Sequence, residues 1–232
     1  MPSAAEWEFY MKIAIDGPAG AGKSTISKSV AKKLGYIYID TGAMYRAAGL
    51  AALRAGIDIK AQPELAAENT EKISIDIRHG ENGQEIYLCG ENVTDKIRTE
   101  EVSMAASDIA VIASVRARLV SLQRAMAENS SVVMDGRDIG TYVLPDAECK
   151  IFLTASAYTR GERRYKELKE KGVDCSLDDI CRDILARDKN DTEREESPLR
   201  EAEDAVVVDT TELALCESIE KVLDIIKAKT EY

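Results

Sequence analysis

The stretch "KIAIDGPAGAGKST", Lys12 to Thr25, constrains this chain more than any other. Within it "GPAGAGKS" matches the pattern GxxxxGK[ST], with Gly17, Gly22, Lys23 and Ser24 at the fixed places. A short β-branched run precedes the motif, and the helical pattern "STISKSVAKKLG" follows it. A strand, a glycine-rich turn and a helix in that order form a cradle for the phosphates of a nucleotide. The turn of Gly17, Pro18, Ala19, Gly20, Ala21 and Gly22 points backbone N–H groups inward at phosphate oxygens. The helix that opens near Gly22, with Lys23, Ser24 and Thr25 in its first turn, adds unpaired amides and the positive end of its dipole. In such a loop Lys23 bridges the β- and γ-phosphates, and the Ser24 hydroxyl coordinates Mg²⁺. A glycine-rich turn that merely mimics the motif is the competing explanation, and the flanking strand and helix weigh heavily against it.

The rest of the chain alternates short apolar runs with helical patterns. Strands are expected at 12–16, 36–40, 131–135, 150–154 and 205–209, because these runs are short, β-branched and separated by stretches long enough for crossover helices. Helices are expected at about 22–34, 42–55, 63–72, 100–112, 114–129, 156–171, 176–194 and 212–229. The fold class is therefore α/β, with a parallel sheet flanked by helices. One segment breaks the alternation. "ISIDIRHGENGQEIYLCGENVTDKIR" holds two period-2 runs joined by an Asn-Gly turn, then a further extended piece, which reads as a small antiparallel meander inserted between helices. It is either a surface decoration or part of a substrate lobe. The charged run "RDKNDTEREESPLREAED" is either a solvated helix end and loop or a mobile lid.

Charge narrows the partners. A formal net charge of -11 leaves no basic surface to track a nucleic-acid backbone, so polymer binding is not expected. An anionic small substrate would need a local arginine cluster that overrides the global field. Five scattered cysteines, none spaced as CxxC, argue against a disulfide framework or a zinc site and favour a reducing cytoplasm. No run has membrane-spanning length, and the first ten residues lack the layout of a secretory signal. They read as a loose N-terminal tail, with residues 11–232 forming one domain. The single histidine, His79, is read as a surface residue of the "HGENGQ" turn.

A phosphate-binding loop serves GTPases, mechanical ATPases and small-molecule kinases alike. The guanine-reading NKxD is absent, since "DKND" (188–191) has the wrong order and lies in a charged helix. A kinase needs positive charge around the acceptor. Arg187, Asp191 and Arg194 are spaced i, i+4, i+7 and share one face if the helix is continuous; read alone, this is as easily a solvated ion-pair face. Arg163 and Arg164 could equally be helix surface. Arg46 and Arg137 closely follow strands, at the carboxyl ends of the sheet where α/β proteins bind ligands. Asp135, at the end of a strand, is a candidate for a water of the Mg²⁺ shell; Asp16 is another, or else a residue that pins the loop. Transfer to an alcohol benefits from a base, whereas a phosphate monoester, with a second pKa of about 6, is already ionised near neutrality. A site of several arginines with no histidine suits a phosphate acceptor better than a hydroxyl one.

The motifs "IDGPAGAGKST", "YIDTGAMYRA", "TEEVSMAASDIAVIASVRARLVSLQR", "VMDGRDIGTYVLPDAECKIFLTAS" and "ARDKNDTER…SPL" together resemble bacterial cytidylate kinases, which are nucleoside monophosphate kinases. The resemblance runs from about Lys12 to the final helix. It implies transfer of a phosphoryl group from ATP to CMP, with dCMP as a second acceptor and Mg²⁺ required. It also implies the P-loop kinase fold: five parallel strands, a monophosphate-binding lobe at about 60–112 that includes the meander, and a short lid at about 158–196. By the same resemblance Arg46, Arg137 and Arg194 hold the acceptor phosphate, and Arg187 and Asp191 face the ribose. Ser107, Arg116 and Asp138 would read the cytosine edge, and Thr41 and Tyr45 would line the acceptor pocket. Arg163 and Arg164 fall in the lid. Lys23, Arg137, Arg187 and Arg194 are the catalytic candidates, and a monomer is expected. Two rival readings stay open at this point: a kinase of the same fold acting on another small acceptor such as shikimate, and a module that binds ATP without transferring phosphate.

Overall fold

Lys12–Asp16 (β1) is buried from its second residue onward, as a strand must be when helices cover both faces of its sheet. The computed structural model describes residues 10–80, 83–170 and 172–230, so the expected tail falls, except for Tyr10, outside the described residues. From β1 the chain runs through Lys23–Leu34 (α1), Ile37–Asp40 (β2), Thr41–Arg54 (α2) and Pro63–Lys72 (α3). Ile75–Gly80 (β3), Gly83–Leu88 (β4) and Glu91–Asn92 (β5) follow, then Glu100–Ile109 (α4) and Ala113–Ala127 (α5). Val132–Gly136 (β6), Cys149–Thr154 (β7), Ala157–Glu170 (α6), Leu177–Glu193 (α7), Val206–Asp209 (β8) and Leu215–Thr230 (α8) complete it.

Five strands form one parallel sheet in the order β2-β6-β1-β7-β8. This is the α/β arrangement expected, with each strand within a residue or two of its expected bounds. Register decides what the sheet presents at its carboxyl end. Asp40 pairs with Asp135, and Asp16 with Gly136, so three strands deliver acidic residues to nearly one level. On one face Ile13, Ile15, Ile26, Val30, Val222 and Ile226 pack together, sandwiching α1 and α8 on the sheet. On the other, Ala14, Ile39, Val120, Met134 and Ile139 fill the space beneath α5.

The insert is antiparallel, as its period-2 pattern predicts, with β4 between β3 and β5. Pairing continues to Gly80 opposite Gly83; the Asn-Gly turn itself lies partly outside the described residues, at Asn82. The insert shares its core with α2, α3, α4 and α5 through Met44, Ala48, Ala66, Ile75, Ile86, Leu88, Val102 and Leu119. Helices α2 and α4 meet at Gly49, where a Cβ would lie 2.9 Å from the Ala106 amide nitrogen, so only glycine lets them approach this closely.

Three local features depart from expectation. Helix α7 ends at Glu193, and Arg194 is extended (φ −62°, ψ 141°), so Arg194 does not continue the i, i+4, i+7 face. A five-residue π-turn, Ile139–Val143, follows β6 in place of featureless loop. His79 is a residue of β3 rather than of the turn. Among the described residues, no helix is long and apolar enough to cross a membrane.

Candidate active site

The loop after β1 can only be built with glycine at its first position. Gly17 has φ +147°, and a Cβ there would fall 1.9 Å from the Leu153 carbonyl oxygen on β7. Gly22 caps α1 with no side-chain hydrogen bond, which leaves the first amides of the helix to a ligand. Lys23 is buried, and its Nζ donates to the Pro18 carbonyl at 2.7 Å across the loop. Burial first, then the nearby Arg137 charge, holds its pKa well below the ordinary lysine value. The outward carbonyls of the loop are gripped from behind. Ala19 O accepts from Arg160 Nη1 at 3.0 Å, and Ala21 O accepts from Thr210 Oγ1 at 3.5 Å. Arg163 in turn donates to Thr210 O at 2.7 Å, while Arg164 pairs with Glu167 at 2.9 Å on the surface of α6.

Ser24 Oγ donates to Asp135 Oδ2 at 3.0 Å, and the buried Tyr38 hydroxyl donates to Oδ1 of the same carboxylate at 2.8 Å. Thr41 Oγ1 donates to the Asp135 carbonyl at 2.8 Å. Burial, followed by repulsion from Asp40, pushes Asp135 up to about 6. A hydroxyl beside a buried carboxylate fits a divalent cation that takes its remaining ligands from water and phosphate oxygens. Among the described residues, no group of three or more His, Cys, Asp or Glu side chains could hold a metal ion. Asp16, the other candidate, is committed elsewhere. Its two oxygens accept from the Ile139 and Gly140 amides at 2.8 and 2.7 Å, pinning the π-turn. Burial raises Asp16 to about 7 in spite of these donors. It pins the backbone after β6 rather than flanking Ser24.

Arginines gather beyond this pair. Arg46 Nη2 donates to Asp40 Oδ2 at 3.0 Å, and Asp40 Oδ1 caps α2 by accepting from Ala43 N at 2.8 Å. Arg137 Nε donates to Asp191 Oδ2 at 2.8 Å. Burial would raise Asp191, but Arg137 and Arg187 hold it below its ordinary value. Arg187 is brought close enough to Arg137, Arg46 and Arg164 to feel their charge, and burial with that repulsion lowers it to about 10. Arg194 Nε donates to Ser197 O at 2.7 Å, and its Nη2 lies 3.7 Å from Asp138 Oδ1. Among the described residues, three buried guanidinium nitrogens have no hydrogen-bond partner: Arg46 Nε, Arg187 Nε and Arg194 Nη2. Buried cationic donors are rarely left so.

Arg116 and Asp138 form a buried ion pair. Arg116 also stands over the Tyr45 ring at 5.9 Å, and burial pushes the Tyr45 hydroxyl up to about 12. Ser107 is less engaged; its hydroxyl donates to Ser103 O at 3.3 Å within α4.

Sequence reasoning passed over four residues that support these groups. Tyr38 and Arg160 are two. The others are Gln84, whose Oε1 accepts from Asp40 N at 3.1 Å, and His79, whose Nε2 lies 2.9 Å from Tyr38 O. Through them the insert closes the free edge of β2 directly beside the Asp40 cap. The one available signal was that His79 and Gln84 flank the turn of a hairpin placed after α2, and it does not name their partners.

A sequence model described as "Cytidylate kinase" matches residues 13–228. The chain is 54% identical to a cytidylate kinase of Caldicellulosiruptor saccharolyticus over 93% of its own length and 95% of the relative's. It is 50% identical to one from Bacillus cereus, over 93% and 96% respectively. Among solved structures, a gluconokinase from Sinorhizobium meliloti 1021 is similar with a TM-score of 0.49 and 14% identity, covering 96% of this chain and 95% of that one. That likeness is too distant to add to what the strand order already establishes. A family match over nearly the whole chain, with relatives half identical along almost their full length, means that this protein belongs to the cytidylate kinase family and is an enzyme of that family, a kinase.

Proposed function

We propose that this enzyme transfers the γ-phosphoryl group of MgATP to CMP and dCMP, giving ADP and CDP or dCDP. The observation that carries the reading is the set of buried donors without a hydrogen-bond partner, Arg46 Nε, Arg187 Nε and Arg194 Nη2. Guanidinium groups with unsatisfied N–H bonds, gathered at the carboxyl ends of parallel strands, match the oxygens of a phosphate monoester and of the phosphoryl group moving toward it.

In this reading Gly17 to Thr25 hold the donor phosphates, and Lys23 neutralises charge on the β- and γ-phosphates. Ser24 would bind Mg²⁺ directly and Asp135 through water; when bound, the ion draws charge from the phosphate oxygens. Arg46, Arg137 and Arg194 hold the acceptor phosphate, Arg187 and Asp191 the ribose, and Thr41 and Tyr45 line the pocket. An acceptor that is itself a phosphate monoester needs little proton chemistry near neutrality. The chain's contribution is alignment and charge stabilisation. Arg116 holds Asp138 so that its carboxylate can accept from the exocyclic amino group of cytosine, with Ser107 beside it. Uracil would set a carbonyl against that carboxylate, acceptor facing acceptor. Residues of about 60–112 act as the monophosphate lobe, and about 158–196, with Arg163 and Arg164, as the lid that excludes water. The protein works as a monomer in the cytoplasm, where its five free cysteines suit reducing conditions.

The test is coupled ADP release with MgATP and equal concentrations of CMP, dCMP, UMP, AMP and shikimate. Fast turnover with CMP and dCMP, and slow turnover with the rest, is expected. A faster rate with AMP, UMP or shikimate would overturn the acceptor, and ATP binding without turnover of any acceptor would overturn transfer itself.

A further inference from the structure

Helix α7 carries Arg187, yet its apolar anchoring stops short of it. The buried residues of α7 are Ile180 and Ile184, both in its first half. The second half carries two half-buried carboxylates one turn apart, Asp188 and Asp191. Each grips an arginine on a different side of the cleft. Asp191 takes Arg137 from the end of β6 at 2.8 Å. Asp188 takes Arg160 from α6 in a two-point contact, Nη1 to Oδ1 at 2.9 Å and Nη2 to Oδ2 at 2.5 Å.

Arg160 is only 5% exposed, and all of its nitrogens are engaged. Nε donates to Ala155 O at 2.9 Å, and Nη1 also reaches Ala19 O at 3.0 Å, in the middle of the phosphate loop. A Cβ at Gly20 would sit 3.1 Å from the Arg160 Cβ, so the loop rests directly on this side chain. A single guanidinium therefore joins the backbone of the donor loop to the helix that bears an acceptor-side arginine. A forked pair of this kind fixes direction as well as distance.

We infer that Arg160 and Asp188 form a positioning pair, which sets the second half of α7, and with it Arg187 and the Arg194 that follows, against the donor-phosphate loop. The inference rests on the proposed function. Arg160 does not touch the reacting groups; it acts through Ala19 on one side and Asp188 on the other. Loss of the fork removes one of the two ion pairs that hold the second half of α7 to the rest of the chain, and that half shifts. The acceptor arginines then move relative to the γ-phosphate, whereas the loop keeps its amides, Lys23 and the Thr210 support behind Ala21. Chemistry and acceptor binding suffer more than ATP binding.

The experiment compares full-length wild type with Asp188→Asn, Arg160→Lys, the double variant and Asp188→Glu, measuring kcat, KM for CMP and Kd for MgATP. Misplacing reacting groups by about 1 Å costs up to about 100-fold. Each single variant is expected to lose about tenfold or more in kcat/KM for CMP, and in Asp188→Asn, which leaves the Arg160–Ala19 contact in place, Kd for MgATP should change by less than about twofold. The double variant should be no worse than the worse single, because Asp188 acts through Arg160. Additive losses, unchanged CMP kinetics, or ATP affinity falling in step with kcat/KM in Asp188→Asn would each overturn the pair. If Asp188→Asn does not fold, Asp188→Glu keeps the charge on a longer arm and must show the same split between CMP and ATP. Wild type that fails to turn over CMP would defeat the proposed function, whereas active wild type with unaffected variants would defeat only this inference.

Discussion

Arg137 Nε lies 2.8 Å from Asp191 Oδ2, joining residues 54 apart in the chain. The contact holds one end of a helix against the end of the central sheet, and both members are more than three-quarters buried. Replacing Asp191 with Asn keeps the shape and removes the charge that balances Arg137 and Arg187. In steady-state kinetics, Asp191→Asn is expected to raise KM for CMP about tenfold, the cost of leaving a partly buried charge unpaired. An unchanged KM would mean that the pair is incidental to the site.

Lys23 has its ammonium folded back on Pro18 O inside the loop. Lys23→Ala removes charge stabilisation where the phosphoryl group departs. A fall in kcat of about 10³-fold with every acceptor is expected, the size seen for losing one preorganised donor. Turnover within tenfold of wild type would remove Lys23 from the mechanism.

Base choice should reside in Asp138, which is held by Arg116 and lies near Arg194. Asp138→Asn turns one carboxylate oxygen into a donor. The ratio of kcat/KM for CMP over UMP should fall by about tenfold or more, because uracil gains a donor that it lacked. Affinity for MgATP should not follow. An unaltered CMP:UMP ratio would remove Asp138 from the reading set.

Tyr38→Phe strips one of two donors from the buried Asp135 carboxylate. Leaving that oxygen without its partner should cost about 1–3 kcal/mol of stability, read from urea denaturation. Part of the loss should be recovered in saturating MgATP, if a cation then faces the carboxylate. Equal stability of the two proteins would show that the hydroxyl is not paired in solution.

A pH effect follows from Asp16, whose pKa rises from the ordinary 3.8 to about 7 on folding, chiefly through burial. The folded protein keeps this proton where the unfolded chain has lost it, so the group's contribution to stability is fully present below about pH 4 and falls as pH rises to about 7. By linkage the full change is at most about 4 kcal/mol. Asp16→Asn has no such titration. The stability of wild type relative to the variant should shrink between pH 4 and pH 7, and a difference that stays constant or grows over that window would show a carboxylate ionised throughout.

How far the chain could be read without its structure differs by element. The strands were legible because a sheet covered on both faces needs short β-branched runs, and "SVVMD" or "KIFLT" can do little else. The meander was legible from period 2, and Lys23 and Ser24 from the spacing of the loop. Arg194 was misjudged in its local conformation, since nothing in "NDTER" marks the last helical residue. Asp16 offered two readings, and only the folded chain shows both of its oxygens on the Ile139 and Gly140 amides.

The sequence by itself determined the phosphate loop, the alternation of strand and helix, and the supply of arginines, because each is written in spacing along neighbouring residues. Only the tertiary structure decided the partners: Tyr38 with Asp135, Gln84 with Asp40, Arg160 with Ala19 and Asp188. Those contacts depend on strand order and on which helix lies over which strand end. Hydrophobic periodicity says which face of an element is buried, but not which other element covers it, and the pairing of charges across the cleft is settled by that second choice.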